Sequence, residues 1–169
     1  MRRLLHERIG RFDVSVGHPC RKPEKTLLKV GDDTLERTVA RLAADHDAVL
    51  VLIDDEDGCP AKDGPDLLLR ASAACSHKPV AVVLAYREYE TWFLRDAPAL
   101  LGVAAPGNPE AMRDAKGWLR RNGLPTYNPV ADCAGLTGRL NLDVAGLSDS
   151  FRILGDRIFA IVAALPRPA

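Results

Sequence analysis

At 169 residues, with 47% apolar and 27% charged positions, the chain is long enough to bury a core as one domain, and its composition excludes a disordered or fibrous protein. Lys plus Arg and Asp plus Glu both number 23, so no net charge draws it toward nucleic acid or an anionic membrane, and a local patch has to meet any such partner. No apolar run approaches the ~18 residues of a membrane span, MRRLLHERIG is too charged for a signal peptide, and Cys20, Cys59, Cys75 and Cys133 lack CxxC spacing, which argues against a zinc site or disulfide framework and predicts reduced thiols in a cytoplasmic protein.

The first predicted element is a short helix over residues 2–9, where Leu4, Leu5 and Ile9 share a face. Phe12 to Val16, FDVSV, alternates apolar and polar residues and predicts a strand. Residues 17–31 form a basic loop broken by Pro19 and Pro23. Its Arg21, Lys22 and Lys25 are candidates for phosphate or nucleic-acid contact, the alternative being a solvated connection. A helix capped by Asp32 or Asp33 follows to about His46, with Leu35, Val39 and Leu42 as its buried stripe.

Ala48 to Gly58, AVLVLIDDEDG, is the most informative stretch. Its apolar run reads as a strand buried on both faces of a parallel sheet, and it ends in Asp54, Asp55, Glu56 and Asp57. Ligands and catalytic groups of open α/β sheets collect at that carboxyl edge. Four adjacent acids repel one another, and hard oxygen ligands of this kind suit Mg²⁺, Mn²⁺ or Ca²⁺ rather than zinc. The alternative is a solvated acidic turn that caps the next helix.

Cys59 to Gly64 reads as a loop, with Pro65 and Asp66 opening a helix to about Ser76. Pro79 to Ala85 is a second buried strand, followed by Tyr86, Arg87, Glu88, Tyr89 and Glu90. A right-handed crossover between parallel strands would bring Glu88 or Glu90 toward Asp54 and Glu56. Trp92 and Phe93 are expected to pack in the core. Asn108 and Pro109 should open a helix through Asn122, bearing Met112, Ala115 and Leu119 inside and a second basic patch of Lys116, Arg120 and Arg121. A weak helix over 130–140 and a final helix from Asp149 to Leu165, capped by Ser148, complete a helical C-terminal part of about 108–169.

The segments VLVLIDDEDGCP, PVAVVLAYREYETWFL and DAKGWL, then Tyr127, Asp132 and SDSF, resemble a bacterial family of small Toprim-like proteins of undefined activity. The most specific piece is Glu90-x-Trp92, which is similar to an element of RloB-like proteins; the wider group includes OLD-type nucleases. The resemblance implies an α/β fold with a mostly parallel, Rossmann-like sheet of about four strands and helices on both faces. It implies metal-dependent phosphodiester chemistry in antiviral defence, beside an ATPase partner. Asp54, Glu56, Asp57 and Glu90 would be the metal ligands, Glu56, Glu90 and Lys116 the catalytic positions, with Tyr127 a further functional one, and Lys116 would join Arg21, Lys22 and Lys25 on nucleic acid. Toprim-like chains begin with a strand that ends in a glutamate, whereas this sequence starts in the following helix, so that glutamate is expected either to precede this sequence or to have been lost. A rival expectation is a catalytically inactive binding or regulatory subunit with the same frame, which the charge balance favours. A receiver domain would need an acidic pair after Phe12 to Val16, and Gly17, His18 and Pro19 stand there instead.

Overall fold

The computed structural model describes residues 1–29, 31 and 33–167. The chain is a mixed α/β protein with a small parallel sheet of two strands, β1 (Val49–Asp55) and β2 (Val80–Tyr86). The helices are α1 (Glu24–Leu28), α2 (Thr34–Asp45), α3 (Pro60–Ala74), α4 (Thr91–Arg95), α5 (Ala97–Leu101), α6 (Ala115–Arg121), α7 (Pro129–Arg139), α8 (Leu142–Ala145) and α9 (Asp149–Ala163), with a π-helical segment over Leu4–Ile9. No helix among the described residues is long and apolar enough to cross a membrane. Two compact units divide the chain: unit 1 comprises Met1–Ile53, Gly58–Leu84 and Ile153–Ala169, and unit 2 comprises Asp54–Asp57 and Ala85–Arg152.

Unit 1 is built on α2, where Leu35 and Val39 are buried as expected, Leu42 is only partly buried and Ala43 takes the third core position; they pack with Leu27, Val49, Ile53, Leu67, Ala71, Val82 and Leu84. Each such Leu or Val contributes about 1.5–3 kcal/mol on full burial. Helices α2 and α3 are further tied by the Arg70 Nε donation to Glu36 Oε1 at 2.6 Å. Asp33 precedes α2 without a side-chain capping bond and instead pairs with Arg37 at 2.8 Å; the alternative cap, Asp32, lies outside the described residues.

Several boundaries correct the sequence reading. Helix α3 begins at Pro60, so the loop expected up to Gly64 is helical. Pro60 supplies a preset φ at the first helical position, and Asp63 Oδ2 accepts the Cys59 N–H at 2.9 Å. The basic loop contains α1, whose Leu27 is a core residue. Phe12–Val16 is not a strand: Arg11 folds back on Asp13, and Phe12, 75% exposed, stacks on His6 at 4.9 Å. Among the described residues the sheet has two strands where about four were expected, and β1 is not buried on both faces, since Leu52 is 37% exposed. In contrast, residues 81–85 of β2 are all buried, as their unbroken apolar run predicts.

In unit 2, Trp92, Phe93 and Leu94 of α4 are fully buried, and α5, α6 and α8 pack on that helix. Trp92 meets Phe151 edge-on at 5.1 Å, and its indole N–H donates to Ser150 Oγ at 2.9 Å. The helix expected from Asn108 starts only at Ala115, because Asp114 adopts a left-handed conformation, φ 57°, and caps α6 by accepting the Gly117 N–H at 3.0 Å. Met112 thus lies outside it, while Ala115 and Leu119 are buried as expected. Helix α7 follows the cap that Asn128 makes on Val130 and Ala131. Before α9, Ser148 donates its hydroxyl to Glu110 rather than capping the helix.

Candidate functional site: carboxylates around a lysine

All the groups described next belong to unit 2. Strand β1 ends on Asp54 and Asp55, and β2 hands over at Tyr86 to a tight bend through Arg87. The register holds to this edge, since the Arg87 N–H donates to the Asp55 carbonyl at 3.1 Å. Arg87 has φ 70°, a conformation that costs a non-glycine residue about 1–2 kcal/mol. The guanidinium offsets this by donating Nη1 to the Glu56 carbonyl and Nη2 to the Tyr86 hydroxyl at 3.2 Å. The bend turns Glu88 and Glu90 toward the end of β1, and the Tyr89 N–H donates to Asp54 Oδ1 at 2.9 Å.

Lys116, on the first turn of α6, enters the space these residues enclose. Its Nζ is 3.4 Å from Glu90 Oε2, 3.5 Å from Glu88 Oε2 and 3.6 Å from Asp54 Oδ2. The Lys116 backbone N–H also donates to Glu88 Oε2 at 3.2 Å. The side chains are graded in depth: Asp54 is 31% exposed, Glu88 11% and Glu90 4%. Buried Tyr127 donates its hydroxyl to Glu90 Oε1 at 3.0 Å, whereas Glu90 Oε2 is buried and makes no hydrogen bond. Tyr89 donates to, or accepts from, the Thr137 hydroxyl at 2.9 Å.

Burial pushes the Glu90 carboxyl above the ordinary carboxylate range, and Asp54 adds to the push while Lys116 opposes it. Burial pulls Lys116 down, but Glu90, Asp54 and Glu88 together hold it above an ordinary lysine. Burial lifts Tyr89 to about 12, and it raises Tyr127 with help from the Glu90 charge. At neutral pH both tyrosines are therefore hydrogen-bonding groups with their protons in place.

The structure brings Asp54, Glu88, Glu90, Lys116 and Tyr127 together. It does not bring in Glu56 or Asp57. Glu56 is exposed, and Asp57 pairs with Arg113 at 2.6 Å, which holds its carboxyl below the ordinary range. Among the described residues no group of three or more His, Cys, Asp and Glu side chains is arranged to hold a metal as it stands. Of the basic candidates, Arg21 and Lys22 are exposed residues of unit 1, and the side chain of Lys25 lies outside the described residues.

The chain matches no family model, no curated protein and no solved structure. Its chemistry is therefore read from the cluster itself. Two features escape a reading of the sequence. Glu88 and Glu90, expected as alternatives, both join Asp54 while Glu56 stays outside, because the Arg87 bend and not strand alternation sets their direction. Asp114 and Gly117 position Lys116: a Cβ on Gly117 would fall 2.0 Å from Asp114 Oδ2, so the cap closes only over glycine. An aspartate three residues ahead of a glycine, at a helix start, is the signal for that pair.

Proposed function

We propose that the Asp54–Glu88–Glu90–Lys116 cluster is the centre of a metal-dependent phosphodiesterase of the nuclease kind. The observation that carries this reading is the convergence of three carboxylates, at the carboxyl edge of two parallel strands, on one lysine. Backbone strain supports it, since the two non-glycine residues with positive φ among the described residues, Arg87 and Asp114, stand one residue before Glu88 and two before Lys116. Strain concentrates where a site must be held in a fixed geometry.

The all-oxygen set fits a hard divalent cation, and the buried Glu90 Oε2, which faces the Lys116 ammonium at 3.4 Å and makes no hydrogen bond, is an oxygen that such an ion could share. Asp54, Glu88 and Glu90 are the residues that would hold it, in place of the Asp54, Glu56, Asp57 and Glu90 set expected from the sequence. When bound, Mg²⁺ or Mn²⁺ would polarise a phosphate and acidify a water. Tyr127 orients Glu90 through Oε1 and leaves Oε2 directed at Lys116. Lys116 supplies the positive charge that offsets a phosphate in a pocket otherwise lined by acids. Glu90, the deepest of the three carboxylates, would anchor the ion, which has to displace the proton that burial favours there. A larger Toprim-like sheet, a polynucleotide substrate, a role in antiviral defence and an ATPase partner extend this reading by resemblance.

Calorimetric titration of Mn²⁺ into the wild type and into Asp54→Asn combined with Glu90→Gln tests the centre, with hydrolysis of an activated phosphodiester as the second readout. Binding and turnover in the wild type, both lost in the double variant and both kept in Glu56→Ala, are expected. Binding without turnover would favour the inactive binding subunit, and absence of both would refute a metal centre.

A further inference from the structure

Unit 1 contains an open cavity of about 320 Å³ that is lined by Lys22, Thr34, Arg37, Thr38 and Arg41. Every one of these side chains is a cation or a hydroxyl. Thr34, Arg37, Thr38 and Arg41 follow one another at helical spacing on α2 and form a polar stripe, separate from the buried Leu35, Val39 and Ala43. Lys22 joins it from the segment before α1.

The charge balance of this stripe is unusual for a solvated helix face. Arg37 and Arg41 stand one turn apart, a spacing at which like charges destabilise a helix. Asp33 answers Arg37 at 2.8 Å. Arg41 donates instead to Cys20 Sγ at 3.1 Å, and sulfur is a weak acceptor. Among the described residues neither Lys22 nor Arg41 has an ion-pair partner, so two positive charges and two hydroxyls face one cavity.

We infer that this cavity binds a phosphate ester. Guanidinium groups match phosphate oxygens in pairs, and threonine hydroxyls donate to the remaining oxygens. The volume lies at the lower end of the roughly 300–1,000 Å³ of small-ligand sites, which leaves room for a phosphate with the sugar it esterifies rather than for a bare ion. The phosphate belongs either to a mononucleotide or to the backbone of a single-stranded polynucleotide. The inference rests on unit 1 alone and stands independently of the carboxylate centre in unit 2.

The test titrates the full chain with adenosine 5′-monophosphate by calorimetry and with a short fluorescent single-stranded DNA by anisotropy. Variants are Arg37→Gln with Arg41→Gln, in which glutamine keeps the helix propensity, and Lys22→Gln, which lies outside any helix. Wild-type binding of at least one probe is expected, weakened at least tenfold by the double variant and several-fold by Lys22→Gln. If the DNA is the better ligand, the dependence of log K on log salt should flatten by about 0.7 for each phosphate contact removed. If the nucleotide binds and the DNA does not, the phosphate ester is a small molecule. Failure of both probes to bind the wild type, or wild-type affinity in Lys22→Gln or in a folded double variant, would overturn the inference.

Discussion

Glu90 is the residue at which burial and charge conflict most. Because its carboxyl titrates above the ordinary range, ionising it costs more in the folded chain than in the unfolded one. The stability it contributes is complete below about pH 4, near the unfolded value, and is lost as pH rises through the folded value. Glu90→Gln has no proton to lose. Its melting temperature relative to wild type is therefore expected to climb between about pH 4 and pH 7. Scanning calorimetry across that range checks the sign, and parallel curves would mean that Glu90 titrates normally. The crossover between the two strands made it legible that Glu88 or Glu90 would approach Asp54, and both do. It was not legible that Glu56 and Asp57 would stay outside the cluster while both glutamates entered it. That choice depends on a left-handed Arg87, a conformation that nothing in the residue's type announces.

Helix α9 shows the same limit for an element. Its span was legible from Ser148 and the apolar spacing that follows. Its actual cap comes from Glu110, whose Oε1 accepts the Ser150 N–H at 2.9 Å and the Ser148 and Ser150 hydroxyls, and whose Oε2 accepts the Asp149 N–H at 3.2 Å. A cap that reaches from 38 to 40 residues away leaves no local pattern to read. Burial pushes the Glu110 carboxyl up, but the hydrogen bonds from Ser148, Ser150 and Asp149 outweigh it and hold the group below the ordinary range. Its contribution is thus present above the unfolded carboxylate value and lost as pH falls through the folded one. Glu110→Ala is expected to cost about 2 kcal/mol at neutral pH. The melting temperature should fall by about 2–4 °C per kcal/mol, and the difference from wild type should shrink toward pH 3. Thermal unfolding at both pH values measures it, and an equal loss at each would show that the carboxylate charge is irrelevant. Helix α6 and the segment Phe12 to Val16 failed for related reasons. Asp114 competes with Asn108 as a start signal through the close approach of Gly117, and an alternating pattern becomes a strand only where a neighbouring strand accepts its hydrogen bonds.

For the whole molecule, the helical stripes were the most legible feature, because Leu35, Val39, Ala115 and Leu119 each follow from spacing on one helix and are all buried. The number of strands was not legible, since pairing is a property of two segments at once. The division into two units was equally hidden: β1, β2 and α9 each contribute residues to both, so no linker composition marks a boundary.

Arg11 lies just after the Leu4–Ile9 turn, where its N–H donates to the Leu5 carbonyl at 3.0 Å. Its guanidinium donates to the Val162 carbonyl at 3.0 Å, to the Pro166 carbonyl at 3.1 Å and to Asp13 Oδ2 at 2.7 Å. It thereby ties the last turn of α9, where the Val162 carbonyl also accepts the Leu165 N–H at 3.1 Å, to the Pro166 carbonyl beyond the helix. The kinetic consequence is that the amino-terminal segment and the end of α9 form one cooperative opening unit, although 151 residues separate Arg11 from Val162. Amides of the Leu4–Ile9 turn and of the last turn of α9 should exchange with deuterium at matched rates. A lysine lacks the planar fork that reaches several acceptors at once. Arg11→Lys is therefore expected to let the two segments exchange independently, each faster than in the wild type, while protection of α2 is unchanged. Unequal rates in the wild-type chain would show that the arginine joins the two segments without making them open together.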